Sequence, residues 1–451
     1  MSASTSSAEF LPVSFRKEEA AALAGTRWFS RARALLGATL LAAPFAFGAV
    51  EPWAWAALYI LSFAALACWA VGSAGRRAVR MIWSPLYVPA ALFLLMGVVQ
   101  YLGHFTLNSS ETREALIKLV TDVVLFFLAG QLFGEASGKT WRMAGFAVTA
   151  YAFLMGLFAI LQYFSSQGMI FWLIKSRGRI FGPYVNHNDF AGLMEMLIPI
   201  AAVYVFSRPR DDQHKVLLAF AVCVAICSLL LSASRGGFVA FLGEILIFAW
   251  IFWRRLPKGN SRRHLLLGML GLVAATACFF WMAPQKVSSR LGSIGNVVNA
   301  PEATYGDRMH VAFDALLIFR DHPAMGTGLG SFGSIFPAYQ SFPTDQLYPY
   351  AHNDYAQALA ETGAVGGLII LGALILFFRL AFSNLRQRLG EEAGWIRLGA
   401  ALAVCGLLIH SFVDFNLHIP ANAAWFAVCA GLSTIPGSSG RRKVVQTGGP
   451  Q

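Results

Sequence analysis

Charge is the scarcest property of this sequence. Only 13% of its 451 residues are charged, while 57% are hydrophobic. A water-soluble chain of this length needs far more polar surface, so the composition excludes an ordinary soluble globular protein. The six cysteines all lie in apolar runs, and no His or carboxylate joins Cys223 and Cys227, which share a helix face. We therefore predict small buried hydrophobes, and neither a disulfide framework nor a metal site. The first 30 residues show no short apolar core with a small-residue cleavage site, and thus predict no removable signal peptide.

The sequence is instead rich in long apolar runs. A helix that crosses a bilayer needs about 20 mostly apolar residues. The sequence contains twelve candidate runs and so predicts an all-α integral membrane protein with about 12 transmembrane helices. The predicted spans are 33–50, 53–72, 85–103, 116–134, 143–163, 190–207, 216–233, 237–253, 265–283, 364–382, 396–412 and 420–436.

Two longer polar stretches interrupt the apolar runs, at about 164–189 and 284–363. Only the second is long enough to form a subdomain outside the membrane. We predict four parts of the chain from this layout. They are an N-terminal tail (1–32), a first group of five helices (33–163), a second region that contains the long loop (164–436), and a C-terminal tail (437–451).

The distribution of Lys and Arg predicts the orientation in the membrane. If the N-terminus is cytoplasmic, 25 of the 35 basic residues lie in cytoplasmic segments, as the positive-inside rule requires. Both termini are then cytoplasmic. The net charge of +12 reflects this topology and predicts no nucleic-acid partner. The ten exceptions lie on the outer side: Arg113, Lys118, Lys175, Arg177, Arg179, Arg235, Lys286, Arg290, Arg308 and Arg320.

Arginines gathered at one membrane face suit a ligand that carries phosphate, because the planar guanidinium binds two phosphate oxygens at once. Arg235 stands in the short turn "SASRGG". A charge so close to hydrocarbon normally has a partner or a task, although it can also anchor the chain to lipid headgroups. The other candidates for ligand binding on this face are Arg177, Arg179, Asp307, Arg308 and Tyr350.

The stretch "YPYAHNDYAQALAETGAVGGLI" (348–369) carries polar groups at the start of an apolar run. At 3.6 residues per turn, His352, Gly363 and Gly366 fall near one helical stripe, and the glycines would let a neighbouring helix pack closely. A neutral histidine at the rim of such a groove can accept a proton from an attacking hydroxyl. Alternatively, His352 and Asn353 only cap a helix at the membrane interface. The residues alone leave both readings open.

The spacing of this stretch resembles a known signature. His352-Asn353, nine residues, Gly363, two residues and Gly366 are similar to the motif of the O-antigen ligase family and its relatives, the O-antigen polymerases and protein O-oligosaccharyltransferases. "GDR" (306–308) and "SRGG" (234–237) resemble further arginine positions of the family. "NHNDFAG" (186–192) and "HSFVDFNLHIPAN" (410–422) are also similar. The resemblance covers roughly residues 175–422.

The resemblance implies a GT-C-like membrane glycosyltransferase that inverts the anomeric centre and uses no metal or other cofactor. The outer loops contain no D-x-D pattern, in keeping with this expectation. The donor would be a glycan on undecaprenyl pyrophosphate. His352 would be the general base or would orient the acceptor, while Arg235 and Arg308 would hold the pyrophosphate. The implied substrate-binding residues are Arg177, Arg179, Asn353, Asp307, Tyr350 and Asp414.

The resemblance also implies a location and leaves the acceptor open. The enzyme would lie in the bacterial inner membrane among its lipids, with its active face and long loop in the periplasm. The acceptor would be lipid A-core for a ligase, or another glycan repeat unit for a polymerase. Asp414 could pair with an arginine, orient a sugar, or serve as a buried anchor.

Two other classes of protein fit parts of the sequence. A flippase for the same lipid-linked saccharide would explain twelve helices, but the polar groups cluster at the outer face rather than at the bilayer midplane. A scaffold protein in envelope assembly would leave the outer arginines and His352 dispensable.

Overall fold

The structure, a computed structural model, describes residues 13–75, 79–175, 178–209, 211–254, 305–344, 346–383, 385, 389, 391–435 and 444–445. The predicted span 265–283 and the first part of the long loop lie outside the described residues. Within these ranges the chain is almost entirely helical.

Thirteen α-helices are present in the described ranges, together with three short 3-10 helices at Phe47–Ala49, Phe336–Ala338 and Asn416–His418. The α-helices are α1 (Val13–Phe45), α2 (Pro52–Ala74), α3 (Tyr87–Leu102), α4 (Ser109–Gly134), α5 (Gly138–Ser165), α6 (His187–Ser207), α7 (Lys215–Ser232), α8 (Arg235–Trp253), α9 (Tyr305–Asp321), α10 (Phe332–Ile335), α11 (Asp354–Phe382), α12 (Glu392–His410) and α13 (Pro420–Ser433). The only strands in these ranges are two-residue pairs: β1 (Val79–Arg80) lies antiparallel to β4 (Val444–Val445), and β2 (Met169–Ile170) lies antiparallel to β3 (Ile174–Lys175).

Eight of these helices are long and apolar enough to cross a membrane: α2, α4, α5, α6, α7, α8, α11 and α12. They coincide with eight of the predicted spans, so the all-α membrane fold is confirmed. The predicted span 33–50 falls on α1, which begins well before it, and 85–103 and 420–436 fall on the shorter helices α3 and α13. The total of twelve spans stays a prediction.

Helices α6 and α12 form the centre of the bundle. Both are buried along most of their length, as expected for helices that are apolar on all sides. The two helices approach closely at Gly399, where a Cβ atom would lie 2.6 Å from the Cα of Ile200. The ends of these two helices therefore have fixed positions, and both carry residues of the site described below.

The cysteine prediction holds for most of the thiols that the structure describes. Cys405 and Cys429 are buried, and Cys68 and Cys227 are partly buried. It is wrong for Cys223, which lies exposed on the outer side of α7. All five are free thiols, and Cys278 lies outside the described residues.

The described part of the long loop forms a small second core on top of the bundle. Helix α9, helix α10 and the 3-10 turn after it pack together and against the first two turns of α11. The core consists of Val311, Ala315, Ile318, Phe332, Phe336, Tyr348, Ala351, Ala356 and Ala360. We call residues 305–351 the outer subdomain. Because its core includes residues of α11, the subdomain is packed directly onto a membrane helix.

Helix α11 is broken at Gly363, whose φ of 61° and ψ of −162° are not helical. This region of backbone space is essentially restricted to glycine. A Cβ atom at Gly363 would also lie 2.4 Å from the carbonyl oxygen of Ala324. The break therefore admits a piece of the outer subdomain into the side of the helix.

Backbone hydrogen bonds with that piece repair the break. The amide of Ala364 donates to the carbonyl of Pro323 over 2.8 Å, and the amide of Thr327 donates to the carbonyl of Ala360 over 3.0 Å. Residues 323–328 thus supply the backbone hydrogen-bond partners that α11 itself cannot supply at the break. Buried backbone groups require partners, so the two segments depend on each other.

The sequence predicted that a neighbouring helix packs closely at both Gly363 and Gly366. This prediction is correct for Gly366 and wrong for Gly363. At Gly366 a Cβ atom would lie 3.3 Å from Met96 of α3, so a neighbouring helix does pack closely there. At Gly363 the close neighbour is the loop around Ala324 instead of a helix. The single helical stripe does not exist, since α11 changes direction between the two glycines.

Candidate functional site

His352 lies in the link between the outer subdomain and α11. It precedes the helix, which begins at Asp354, and its own φ is +50°. The prediction that His352 shares a stripe with the helix is therefore wrong. The capping interpretation applies only to Asn353, whose Oδ1 accepts the amide of Ala356 at 2.9 Å. The side chain of His352 does not cap α11, and 14% of it is exposed.

Asp414 is the residue toward which the His352 ring turns. The Nδ1 atom of His352 lies 3.5 Å from Oδ1 of Asp414, and Nη1 of Arg308 lies 3.5 Å from Oδ2. Only 1% of the Asp414 side chain is exposed, against 25% for Arg308. The amide of Phe415 donates to Oδ1 at 3.0 Å and fixes the carboxylate from behind. The site therefore contains a buried carboxylate between a histidine and an arginine.

The surroundings keep Asp414 ionised. Burial by itself raises the pKa of a carboxyl, but the contacts with His352, Arg308 and His410 outweigh burial and hold the pKa of Asp414 below its usual range. An ionised carboxylate at 3.5 Å attracts an N–H group at Nδ1 of His352, although Nδ1 makes no hydrogen bond with the described residues in this conformation. Of the readings open at the sequence level, pairing with an arginine agrees with the geometry.

Arg235 is the first residue of α8, and its side chain is exposed. The next residue, Gly236, packs on the ring of His410, where a Cβ atom would lie 2.5 Å from Nε2. Since Nε2 of His410 is 3.9 Å from Oδ2 of Asp414, the start of α8 lies beside the buried carboxylate. Arg235 thus lies at the same end of the bundle as His352, Arg308 and Asp414.

A buried pair lies on the membrane side of this cluster. Nδ1 of His410 lies 2.9 Å from Oε1 of Glu195, and their side chains are 1% and 0% exposed. Glu195 therefore faces the bundle interior, where it pairs with His410. Glu244 is also buried, but neither of its oxygens has a hydrogen-bond partner among the described residues.

Asp354 fixes the first turn of α11 to the segment after α12. Its Oδ2 accepts the hydroxyl of Ser411 at 2.7 Å, and its Oδ1 lies 2.9 Å from Nδ1 of His418. The amide of Asp354 also donates to the carbonyl of Ser411 at 2.9 Å. These bonds hold the residue two positions after His352 in one place.

Gln357 extends this network toward the outer subdomain. Its Oε1 accepts the amide of Ala351 at 2.9 Å, so its Nε2 is the donor to Oε1 of Glu361 at 2.9 Å. Nε2 of Gln357 also lies 3.0 Å from Nε2 of His418. Because an amide nitrogen donates, this contact assigns the proton of a neutral His418 to Nδ1, facing Asp354.

Glu361 receives the glycine-rich turn of the outer subdomain. Its Oε2 accepts the amide of Gly330 at 2.8 Å, and its Oε1 lies 3.3 Å from the amide of Phe332. Gln100 of α3 binds the same turn, since its Oε1 accepts the amide of Leu329 at 3.1 Å. Buried polar groups from three parts of the chain thus satisfy one another.

Aromatic rings surround the site histidine. Tyr350 stacks on Phe415 with ring centroids 4.7 Å apart, and it also contacts the ring of His418 at 4.9 Å. Phe415 contacts the ring of His352 edge to face at 4.9 Å. Burial raises the pKa of the Tyr350 hydroxyl above its usual value. The ring of Phe415 restricts the orientation of His352.

The structure describes the contacts of two further predicted binding residues, Arg179 and Asn353. Arg179 is placed by its backbone, because its carbonyl accepts the amide of His187 at 2.7 Å at the start of α6. Asn353 uses both ends of its amide, since its Nδ2 also donates to the carbonyl of Phe412 at 3.0 Å. Arg177 and the side chain of Asp307 lie outside the described residues.

The segment 410–422 supplies partners that the sequence did not assign to roles. His410 contacts Glu195 and Asp414, and His418 contacts Asp354. The sequence pattern singled out this segment as a whole, and only Asp414 within it as a candidate. The signal that could have found the two histidines is their position near the outer ends of apolar helices, where polar residues usually have a task.

Residues 219–371 match the family model described as O-antigen ligase. The matched range contains Arg235, Arg308, His352, Gly363 and Gly366. It ends before Asp414, which the structure nevertheless places against two of these residues. No curated protein matches the chain. Residues 219–371 are therefore similar to the O-antigen ligase family, and the match supports an O-antigen ligase or polymerase type of membrane function. The apolar helices indicate a multi-pass membrane protein.

Proposed function

We propose that this protein transfers a glycan from undecaprenyl pyrophosphate to a sugar hydroxyl, and that the transfer takes place at His352. The observation that carries the proposal is the contact of one buried carboxylate, Asp414, with both His352 and Arg308. A histidine and an arginine at a shared position can serve the two ends of a glycosyl transfer. One accepts the proton of the acceptor, and the other binds the leaving phosphate.

Asp414 sets the chemistry of His352. An ionised carboxylate 3.5 Å from Nδ1 favours the tautomer with the proton on Nδ1. Nε2 then carries the lone pair and can take a proton from the acceptor hydroxyl. When that proton is transferred, the resulting imidazolium is stabilised by the negative charge of Asp414. This arrangement supports the role of general base that the family resemblance implies for His352.

The bond changes balance without a further reactant. The acceptor oxygen forms a bond to the anomeric carbon of the donor, while the bond from that carbon to the phosphate oxygen breaks. The electron pair of the broken bond leaves on undecaprenyl pyrophosphate, and the proton of the acceptor passes to Nε2 of His352. Attack opposite to the leaving group inverts the anomeric centre, and no metal ion takes part in the proposed step.

Arginines stabilise the charge that develops on the leaving group. Arg308 directs one nitrogen to Asp414, and its guanidinium has further N–H groups for phosphate oxygens. Arg235 is exposed at the start of α8, beside the same carboxylate. Arg179, with Arg177, would extend the basic surface toward the start of α6. Tyr350, Asn353 and Asp307 are proposed to bind the sugars.

The proposed orientation follows the positive-inside rule. Both termini lie in the cytoplasm, and the outer subdomain and His352 face the periplasm of a bacterial inner membrane. The acceptor is lipid A-core if the protein is a ligase, and another repeat unit if it is a polymerase. We favour the ligase reading because the glycine spacing after His352 agrees with that signature.

A deletion strain tests the proposal directly. The gene is removed and replaced by wild type or by His352→Ala, and surface glycans are compared on a gel with an extract of the lipid-linked pool. A ligase defect leaves lipid A-core bare while long glycans accumulate on undecaprenyl pyrophosphate. A polymerase defect abolishes long chains while single repeat units accumulate or are transferred.

Two outcomes contradict the proposal. Normal surface glycans with His352→Ala show that this histidine is not the general base, and they support the scaffold reading. Accumulation of the lipid-linked glycan on the cytoplasmic leaflet supports a flippase instead. His214→Ala is the control variant, because His214 is an exposed histidine whose side chain is 76% accessible.

A further inference from the structure

His410 lies next to Asp414 on the membrane side of the site. The proposed reaction assigns no role to this histidine. Its ring is 1% exposed and lies between two carboxylates. Nδ1 is 2.9 Å from Oε1 of Glu195, and Nε2 is 3.9 Å from Oδ2 of Asp414. The ring also has no room to move away, because Gly236 of α8 packs against it.

The two carboxylates determine the charge of this ring. When Glu195 is ionised, its Oε1 can only accept, so the 2.9 Å contact then places a proton on Nδ1 of His410. A lone pair on Nε2 would then face the ionised Asp414 across a buried gap, which is unfavourable. A second proton on Nε2 turns this repulsion into attraction. Asp189 on α6 is a further carboxyl near the ring, and Arg308 is a cation on the far side of Asp414. Arg235 begins the helix that packs on the ring.

We propose that His410, held by Glu195, is a buried cation that keeps Asp414 ionised and turned toward His352 and Arg308. The inference rests on the proposed function, because it assigns a positioning role for that reaction. Neither His410 nor Glu195 touches substrate in this scheme. They act through Asp414, whose carboxylate accepts the backbone amide of Phe415 and otherwise faces His352, Arg308 and His410 among the described residues.

The arrangement assigns opposite charges in alternation from the membrane outward. Glu195 is negative, His410 positive, Asp414 negative and Arg308 positive. Charges buried in a protein within a membrane are stable only when they are paired in this way. Without His410 the carboxylate would depend on Arg308, which also has to bind the leaving phosphate.

Spectroscopy tests the charge of His410 without any assay of activity. The protein is labelled with ¹⁵N-histidine, placed in lipid nanodiscs, and studied by NMR at pH 7. The signals lost in His410→Gln assign the ring. We expect both ring nitrogens of His410 to carry protons, and Glu195→Gln to abolish this pattern. One protonated and one bare nitrogen in the wild type overturns the proposal. If His410→Gln does not fold, the signals that change in Glu195→Gln identify the ring.

Kinetics separate positioning from a merely structural role. His410→Gln is expected to lower kcat by roughly tenfold to a hundredfold, as is typical for residues that hold a site residue in place without touching the substrate. The KM for the donor should change little. The substitution also moves the acid limb of the pH profile toward neutral pH, because Asp414 is protonated more easily without its cation. His410→Lys restores the charge and moves the acid limb back. An acid limb that is the same in wild type, His410→Gln and His410→Lys overturns the proposal.

The matched control is His418→Gln. This histidine belongs to the same segment and also pairs with a carboxylate, but that carboxylate is Asp354. The acid limb is expected to stay in place in this variant. If the wild type transfers no glycan from undecaprenyl pyrophosphate, the proposed function fails, while the NMR result still decides the charge of His410.

Discussion

The Nδ1 atom of His352 and the Oδ1 atom of Asp414 lie 3.5 Å apart, although one residue precedes α11 and the other follows α12. The contact joins a residue inside the family match to one beyond its end. In the proposed reaction this contact supplies an ionised partner for Nδ1, while Nε2 of His352 meets the acceptor. The first prediction addresses this contact.

Asp414→Asn is expected to lower the transfer rate by about 10²- to 10⁴-fold, the range over which a positioned general base contributes. The amide has nearly the shape of the carboxylate but cannot stabilise the imidazolium of His352. Transfer from purified lipid-linked glycan in nanodiscs measures the effect. Asp321→Asn is the control, because Asp321 is exposed and pairs with its sequence neighbour Arg320, away from Asp414 in the sequence and from the proposed reaction. Equal rates in the two variants contradict the role of Asp414.

Asp414 also predicts how stability changes with pH. Its pKa is lowered in the folded protein, so its ionised form stabilises the fold above the ordinary pKa of an aspartate. That contribution is lost as the pH falls from the ordinary value, about 4, toward the lower folded value. Thermal unfolding of detergent-solubilised protein between pH 6 and pH 3 checks this. We expect the difference between wild type and Asp414→Asn to shrink across this interval, whereas a constant difference would argue against the charge.

Arg308→Lys tests whether the fork of the guanidinium is needed. Lysine keeps the charge but cannot bind Asp414 and a phosphate with separate N–H groups of a planar fork. We expect roughly a hundredfold loss of transfer rate, similar to the loss of one donor to a developing anion. Arg320→Lys on the same helix is the control, since its side chain is 68% exposed. A rate near wild type for Arg308→Lys shows that charge alone is sufficient.

Gly363→Ala is expected to destabilise the protein by about 2 kcal/mol or more. The new methyl group would meet the carbonyl of Ala324 at 2.4 Å, in a backbone conformation that alanine avoids. Gly372→Ala in the same helix meets no atom within 4 Å and should stabilise by about 0.5–1 kcal/mol. Unfolding in mixed micelles compares the two. Equal stabilities contradict the strained role of Gly363.

Glu361→Gln is expected to cost about 1–3 kcal/mol, because a single amide oxygen cannot serve the donors that now share the carboxylate. Those donors are the amides of Gly330 and Phe332 and the side chain of Gln357. Glu114→Gln is the control: its carboxylate is 49% exposed and pairs with Lys118 one turn on. That change should stay within about 0.5 kcal/mol. The same micelle unfolding measures both, and a neutral Glu361→Gln would mean that Glu361 does not hold the turn.

Hydropathy was enough to predict the helical membrane fold, because crossing a bilayer sets the length of each apolar run. The sequence also predicted that His352, Arg235 and Arg308 lie on the same membrane face. Charged residues close to hydrocarbon are costly, so those that are present usually have a partner or a functional role. The structure brings all three to the same end of the bundle, next to Asp414.

Other features could not be predicted, for physical reasons. The break at Gly363 is invisible in an apolar run, since a glycine inside a helix and a glycine with positive φ look the same in sequence. The contact between Glu361 and Gly330, and that between His410 and Glu195, join residues far apart along the chain. Only the packing of α6 against α12, and of the outer subdomain on α11, brings such pairs together.

Four backbone hydrogen bonds cross the break in α11: Ala364 to Pro323, Val365 to Ala324, Thr327 to Ala360, and Gly328 to Glu361. The outer subdomain and the membrane helix therefore share one backbone ladder at this point, and neither can move there while the other stays in place. In deuterated buffer, the amides of Ala364, Val365, Thr327 and Gly328 should exchange together as a single cooperative unit. The loop beside His352 would then open to solvent only when the helix beneath it opens as well.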